Sequence, residues 1–160
     1  MDYYGTLILL SIMTSLVLIV NVIANGSFDK ETKNGFIATF MFIIIGAIFE
    51  WLGVMCNGKI FFENKRIDIA FHYFVKYVEF TIAPTIPVVF SKMIFESKIK
   101  KVKGQEIVII GLILYNILEQ MSIFGGKFIF YIDENNRYFH AKFYSVYILS
   151  FCISSMYMII

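Results

Sequence analysis

The sequence has few charged residues and is poor in proline, cysteine, histidine and tryptophan. Charged residues make up 16% of the chain, which contains two prolines, two cysteines, two histidines and one tryptophan. Soluble domains usually contain about 25% charged and roughly 45–50% apolar residues. The apolar share here is 59% of 160 residues, more than a water-soluble chain of this length can bury. The composition therefore indicates an integral membrane protein, with the lipid bilayer as its first partner.

These scarcities also exclude several kinds of site. Cys56 and Cys152 are too few for a disulfide framework and lack the spacing of a zinc site. His72 and His140 stand alone in their segments, so a metal site would need carboxylates from other helices. The net charge of +2 is scattered, whereas nucleic-acid binding needs a clustered basic face. We predict no metal, no cofactor and no nucleic-acid partner.

The common catalytic motifs are missing as well. The sequence contains no Walker loop, dinucleotide fingerprint, nucleophile elbow or HExxH pair. We therefore predict that the chain is not an enzyme. No Lys or Arg precedes the first apolar run, unlike the basic start of a signal peptide, so this run is interpreted as a retained first span.

Five apolar segments are long enough to cross a bilayer, at about 20 residues each. Lipid offers the backbone no hydrogen-bond partners, and the segments are continuously apolar, so helices are favoured over a closed barrel. The predicted fold is all-α, a polytopic bundle of about five transmembrane helices in one domain, residues 1–160. Within the longest connection, Phe128–Ile132 either lies in the membrane interface or forms a short strand. The predicted spans lie near Thr6–Ala24, Phe36–Cys56, Ile69–Phe95, Ile107–Phe124 and Phe143–Ile160.

Lys and Arg counts in the loops bear on orientation, because cytoplasmic loops carry the excess. The loops of the two sides carry equal numbers of these residues, and Lys92 breaks the tie by one. The dense cluster at Lys98–Lys103 supports the same side. We predict a multi-pass protein of the cell membrane with its N-terminus outside and its C-terminus in the cytoplasm.

Ionisable and amide side chains inside the predicted spans form the candidate site. Such groups cost at least a few kcal/mol near the bilayer centre, so they usually face the bundle and pair. His72, Lys76 and Glu79 follow one another at i, i+4 and i+7, which places them on one stripe of a helix. The polar residues of the fourth span also share a face. The candidate ligand-binding residues are Glu50, His72, Lys76, Glu79, Asn116, Glu119 and Gln120.

Spacing and depth bring these residues toward one another. Gly46 and Gly53 share a face with Glu50 and would let a neighbouring helix approach closely. Antiparallel neighbours place Glu50, Lys76 and Glu119 toward the same side of the membrane. We expect a polar cavity between the second, third and fourth spans, whose excess of carboxylates favours a cationic or amine-bearing ligand. Alternatively, the cluster is only structural, with its charges neutralising one another, or it forms a cation or proton path.

Pro84 and Pro87 interrupt the third span near this cluster. Each proline removes a backbone hydrogen bond and can kink a helix. The pair forms either a hinge that carries a signal inward or a packing feature.

Three segments carry a resemblance to a known family: FIIIGAIFEWLG in the second span, YVEFTIAPTIPVVF in the third, and FIFYIDENNRYFHAKFYSVYI around the last loop. They resemble the N-terminal multi-span membrane sensor region of bacterial GGDEF diguanylate cyclases and histidine kinases. The resemblance runs from about Phe36 to the C-terminus. It implies that Glu50, Glu79 and Pro84 are typical positions of the family, whose effector domain this chain lacks.

The expected function is a membrane-embedded signal-input module with a polar cavity for a small extracytoplasmic ligand. Because the sequence stops within an apolar run, we expect a truncated product or a module without its output domain. Its protein partner would be a second copy or another membrane signalling protein. The alternatives are a small transport or ion-conducting subunit, in which Glu50, Glu79 and Glu119 relay cations or protons, and a structural membrane partner without a ligand.

Overall fold

A computed structural model describes residues 3–62, 64–96 and 105–159. This part of the chain folds into five α-helices and one two-stranded antiparallel hairpin. The helical prediction is confirmed, and the hairpin is an addition to the all-α description. The elements are α1 (Tyr3–Ala24), α2 (Lys30–Cys56), α3 (Lys65–Glu96), α4 (Gln105–Met121), β1 (Phe130–Ile132), β2 (Tyr138–His140) and α5 (Tyr144–Ile159).

Four stretches of the described residues are long and apolar enough to cross a membrane: Tyr3–Ala24, Lys30–Cys56, Lys65–Ser91 and Ile107–Gly126. The fifth helix, α5, is also apolar but has only 16 described residues. At 1.5 Å per residue it is about 24 Å long, against a hydrocarbon core of about 30 Å. The fifth span therefore stays a prediction. The Lys98–Lys103 cluster that supports the predicted orientation lies outside the described residues.

The helices turn their large apolar side chains outward and keep polar side chains inside. Val20 and Leu10 of α1 are 63% and 61% exposed, and Ile107 of α4 is 75% exposed. In contrast, His72 and Glu119 are completely buried. A water-soluble fold has the opposite distribution, since burying apolar surface drives its folding. This arrangement suits a surrounding that is itself apolar.

Helix α3 is the centre of the bundle and packs against α2, α4, α5 and β1, while α1 packs against α2. The expected close approach at the glycines of α2 is confirmed. A Cβ atom added to Gly46 would lie 3.3 Å from Cγ2 of Ile82, and one added to Gly53 would lie 2.8 Å from Nζ of Lys76. Only a residue without a side chain lets α3 lie this close to α2.

The chain between α4 and α5 folds back into the helices instead of lying along the interface. Ile129 and Phe130 are fully buried, and Phe130 pairs with His140 across the hairpin. Two helix side chains satisfy backbone donors beside the strand: Ser122 Oγ accepts from the amide of Ile129 at 2.6 Å, and Tyr73 Oη accepts from that of Ile132 at 3.0 Å. Buried amides need such partners, so the hairpin is an integral part of the bundle.

The predicted fourth span ends earlier as an α-helix than expected. Residues Ser122–Gly126 form a π-type turn, in which Gly125 has φ 92°. A positive φ suits glycine, which lacks the Cβ that would clash there. The turn reverses the chain and directs it into β1.

Candidate functional site

The polar stripe of α3 contains an ion pair between Lys76 and Glu79. Nζ of Lys76 lies 2.8 Å from Oε2 and 3.1 Å from Oε1 of Glu79. The two side chains are 10% and 17% exposed, so both charges are largely removed from solvent. Gly53 of α2 faces the pair, since an added Cβ would lie 2.8 Å from both Nζ and Oε2. The glycine-containing face of α2 therefore packs against the charged face of α3.

Two aromatic rings lie close to the same ammonium group. Nζ of Lys76 is 4.7 Å from the ring centroid of Tyr138 in β2 and 5.9 Å from that of Phe80 in α3. Both distances are within the range of cation–π attraction, which is stronger where water is excluded. We call the surroundings of this ammonium the ammonium cage, and it consists of Gly53, Glu79, Phe80 and Tyr138.

Glu119 of α4 is fully buried and only partly satisfied. Its Oε2 accepts a hydrogen bond from Oγ1 of Thr81 in α3 at 3.1 Å. Its Oε1 has no hydrogen-bond partner among the described residues. The carboxyl group interacts electrostatically with Glu79, so Glu119 adds an unpaired acceptor atom beside the ion pair.

Glu50 of α2 is the third carboxylate that interacts with this cluster. It is half-buried and accepts a hydrogen bond from the hydroxyl of Tyr4 at the beginning of α1. Its charge also interacts with that of Glu79. Glu79 of the central helix α3 thus interacts with the two other carboxylates that were expected to gather, Glu50 of α2 and Glu119 of α4, and we call these three the row of carboxylates.

His72 connects this stripe to the hairpin through Asn136. The amide nitrogen of Asn136 donates to the carbonyl oxygens of Cys56 at 3.0 Å and Lys59 at 2.8 Å. Its Oδ1 atom, 3.0 Å from Nδ1 of His72, must therefore accept the proton of that nitrogen. The other ring nitrogen, Nε2, is buried without a partner among the described residues.

Asp68 extends the stripe by one further helical turn, and the sequence analysis missed it. Its Oδ1 accepts from the amides of Phe61 at 2.9 Å and Phe62 at 3.1 Å, while its Oδ2 is buried without a described partner. The residue is only 2% exposed. Its position four residues before His72 was the available signal, because i and i+4 share a helix face. The predicted third span began at Ile69 and therefore excluded it.

Asn116 and Gln120 are not brought into the cluster. The amide of Asn116 donates to the carbonyl oxygen of Leu112 in its own helix at 2.8 Å. Gln120 is exposed, and its amide lies 3.5 Å from the hydroxyl of Tyr77. Glu119 is thus the buried polar residue of α4 that bonds α3, whereas Gln120 reaches Tyr77 of α3 from the exposed surface.

The hairpin supplies two further residues of the site that the sequence analysis did not include. Asn136 adopts φ 58°, a left-handed conformation that asparagine tolerates better than most residues. Tyr138 has its hydroxyl buried without a described partner. Burial, followed by the nearby Tyr144 hydroxyl, raises the pKa of Tyr138 well above its ordinary value near 10. Its phenol is therefore neutral at physiological pH.

Pro84 lies in an unbroken helix, and its missing donor is replaced by another residue. Proline has no amide hydrogen, so it leaves the carbonyl oxygen of Phe80, four residues earlier, without its helical partner. The hydroxyl of Tyr115 in α4 donates to this oxygen at 3.2 Å. Helix α3 continues through both Pro84 and Pro87. The hinge hypothesis therefore stays a prediction, and Tyr115 of α4 contacts α3 at the position of this hinge.

Four cavities lined by described residues lie along the helices and are predominantly apolar. One of about 360 Å³ lies between α1 and α2 next to Trp51. Neither Glu79 nor Glu119 lines any of these four. No group of three or more His, Cys, Asp or Glu side chains within the described ranges could hold a metal ion. The close packing of the cluster is seen at Gly53, where an added Cβ would lie 2.8 Å from Nζ of Lys76 and from Oε2 of Glu79.

Comparison with models of known protein families, with curated proteins and with solved structures finds no match for this chain.

Proposed function

We propose that this chain is a multi-pass membrane protein and acts as a signal-input module for a small cationic or amine-bearing extracytoplasmic ligand. The observation that carries the proposal is a charged cluster enclosed by a hairpin inside a bundle with an apolar exterior. Burying ionisable groups in such surroundings is costly. A bundle with a purely structural role would be equally stable with well-packed apolar residues at the positions of these charges.

The proposed ligand reaches the row of carboxylates by displacing the hairpin. The hairpin is held to the stripe of α3 by the bond between His72 and Asn136 and by the contact between Tyr138 and Lys76. The bond from Asn136 to Cys56 holds it to the end of α2. These contacts lie at the end of the bundle where α2 ends and α3 begins, and where the hairpin leaves α4. A ligand that binds the open state better shifts the population toward it, by as much as its affinity for the two states differs.

The signal then passes along α3, the central helix. Glu79 and Pro84 are five positions apart on this helix, and Tyr115 holds the carbonyl group that Pro84 leaves free. A shift of α3 against α4 would change that contact and the packing around Pro87. We expect the module to act on a second copy or on another membrane signalling protein, as in the sensor regions that it resembles.

The proposed orientation, with the N-terminus outside, places the hairpin outside the cell. Glu134, at the hairpin tip, and Gly26, between α1 and α2, are exposed, and a Cβ at Gly26 meets no atom within 4 Å. In a Cys152→Ser background, a membrane-impermeant maleimide should label Glu134→Cys in intact cells. Gly26→Cys should react only after permeabilisation. Cys56 is buried and serves as the unreactive internal control. Labelling of both sites from outside would contradict the proposed topology.

The sensing role is tested by hairpin movement. Spin labels at Glu134→Cys and at exposed Lys59→Cys report the distance between the hairpin tip and the loop after α2. A panel of small amines should lengthen this distance in the wild-type background and leave it unchanged in Glu79→Gln. If no amine changes it, the sensor proposal fails. Proteoliposome cation flux that is lost in Glu79→Gln would instead favour the transport alternative, which the row of carboxylates also suits.

A further inference from the structure

We propose that the ammonium cage is the ligand site and that Lys76 is a tethered competitor, which a small primary ammonium ligand must displace. The inference rests on the proposed function for its role in signalling, and on the geometry of the cage for the binding itself. The closely packed cluster is then the ligand-free state, in which the chain's own ammonium group occupies the position of the ligand's.

The cage surrounds one nitrogen atom with groups from three elements. Glu79 provides both carboxylate oxygens, at 2.8 and 3.1 Å, and Tyr138 provides a ring face at 4.7 Å. Gly53 closes the side toward α2. A carboxylate combined with aromatic faces suits any ammonium group that presents N–H donors, whichever molecule carries it.

The tight fit selects a primary ammonium over a quaternary one. A carbon atom placed on Gly53 would already lie 2.8 Å from Nζ and 2.9 Å from Cε of Lys76. Methyl groups on the nitrogen would meet the backbone of α2 in the same way. They would also remove the donors that both oxygens of Glu79 accept. Tetramethylammonium should therefore be excluded, although aromatic faces alone attract it.

Two buried atoms beside the cage give a ligand more partners than Lys76 uses. Oε1 of Glu119, in a fully buried residue, and Oη of Tyr138 are without hydrogen-bond partners among the described residues. Glu119 bonds Thr81, two residues after Glu79 on α3, and Tyr138 lies over the ammonium group of Lys76. A ligand with a second donor next to its ammonium group can satisfy one of them, and Lys76, which ends in a single nitrogen, does not.

Lys76 can leave the cage because its stem is long and flexible. Lysine side chains extend toward water along apolar surface, and this one is still 10% exposed. Its attachment gives its ammonium an effective local concentration of the order of millimolar, against which a free amine must compete. Removing it should increase the apparent affinity for an amine about tenfold or more.

The test compares Lys76→Ala with the wild-type protein in detergent, with n-propylammonium as the probe. Propylammonium has the length of the part of the side chain that alanine deletes and should raise the melting temperature of Lys76→Ala at a concentration at least tenfold lower than for the wild type. Tetramethylammonium and n-propanol should have no such effect. Lys59→Ala, which removes an exposed lysine, is the matched control and should respond like the wild type.

Three results would overturn the proposal: equal responses of Lys76→Ala and Lys59→Ala, an undiminished response in the Lys76→Ala/Glu79→Gln double variant, or an equal response to tetramethylammonium. If Lys76→Ala does not fold, Lys76→Met is measured by calorimetric titration with methylammonium, and absence of a tenfold gain over the wild type rejects the proposal. If an amine binds the cage but does not move the hairpin in the wild-type protein, the ligand site is supported and the sensor role is rejected.

Discussion

Tyr138 in the hairpin lies over the ammonium group of Lys76 in α3, with 4.7 Å between Nζ and the ring centroid. The hydroxyl of the same tyrosine is buried and has no hydrogen-bond partner among the described residues. The ring therefore stabilises the closed site, whereas its hydroxyl adds an unsatisfied polar atom. These opposite contributions can be separated by substitution.

Tyr138→Phe should leave the free energy of unfolding unchanged or raise it by up to about 1 kcal/mol. It keeps the ring over Lys76 and removes a buried hydroxyl whose desolvation is not compensated. Tyr138→Leu keeps an apolar side chain but loses the ring, and should cost at least about 1–2 kcal/mol. Chemical unfolding in micelles measures both. Equal destabilisation by the two variants would show that the hydroxyl has a partner after all.

Alkaline pH provides an independent test of the buried phenol. Since the pKa of Tyr138 is raised in the folded protein above its ordinary value near 10, the folded state holds this proton at pH values where the unfolded chain has lost it. The free energy of unfolding then falls as pH rises above 10. Tyr138→Phe should make that fall shallower, and a slope identical to that of the wild type would contradict the assignment.

Gly53→Ala should destabilise the protein by about 1–3 kcal/mol, the usual cost of an additional methyl group in a filled site. The new Cβ would lie 2.8 Å from Nζ of Lys76 and from Oε2 of Glu79. Both are ends of flexible side chains, so the pair will move rather than the helix, and the ammonium will leave Tyr138. Gly111→Ala is the matched helical control, because nothing lies within 4 Å of its Cβ. It should be neutral or stabilising.

The hydrogen bond from Tyr115 to the carbonyl group of Phe80 should be measurable in a double-mutant cycle with Pro84. Tyr115→Phe leaves a buried oxygen unpaired and should cost about 1–2 kcal/mol. In a Pro84→Ala background the restored amide hydrogen can bond that oxygen within α3. The cost of Tyr115→Phe should therefore shrink there to less than half. An unchanged cost would mean that Tyr115 contributes through packing alone.

Contacts within one helix were predictable from the sequence, because they follow from a fixed period. The spacing of Lys76 and Glu79 indicated their shared face, and the spacing of the glycines of α2 indicated the face that a neighbouring helix could approach. The same rule failed for Asn116. Its amide can bond the backbone of its own helix, so a polar residue at the right spacing need not face the bundle.

Contacts between distant segments were not predictable in this way. Asn136 is 64 positions away from His72, and hydropathy carries no information about which loop folds back onto which helix. Pro84 indicates that the carbonyl group of Phe80 lacks its helical donor. That Tyr115 supplies the replacement donor depends on how α4 packs against α3. The contacts of Asn136 and Tyr138 that hold the hairpin to the site were thus found only in the structure, whereas the polar stripe of α3 was visible in the sequence.

Asn136→Ala should release the hairpin from the helices and lower the free energy of unfolding by about 2–4 kcal/mol. The substitution leaves the carbonyl oxygen of Lys59 and the Nδ1 hydrogen of His72 unpaired, at about 1–3 kcal/mol for each group that stays buried. The carbonyl oxygen of Cys56 loses one of its two donors and keeps the amide of Lys59. Asn136→Gly tolerates φ 58°, so the excess cost of alanine over glycine measures the backbone strain. Asn135→Ala, at an exposed neighbour, should change stability little.

Hydrogen exchange at the amide of Tyr138 measures the release of the hairpin directly. This amide bonds Oδ1 of Asn57 at 3.0 Å, and its exchange should accelerate in both Asn136 variants. Unchanged protection would show that the hairpin is held by its apolar core instead.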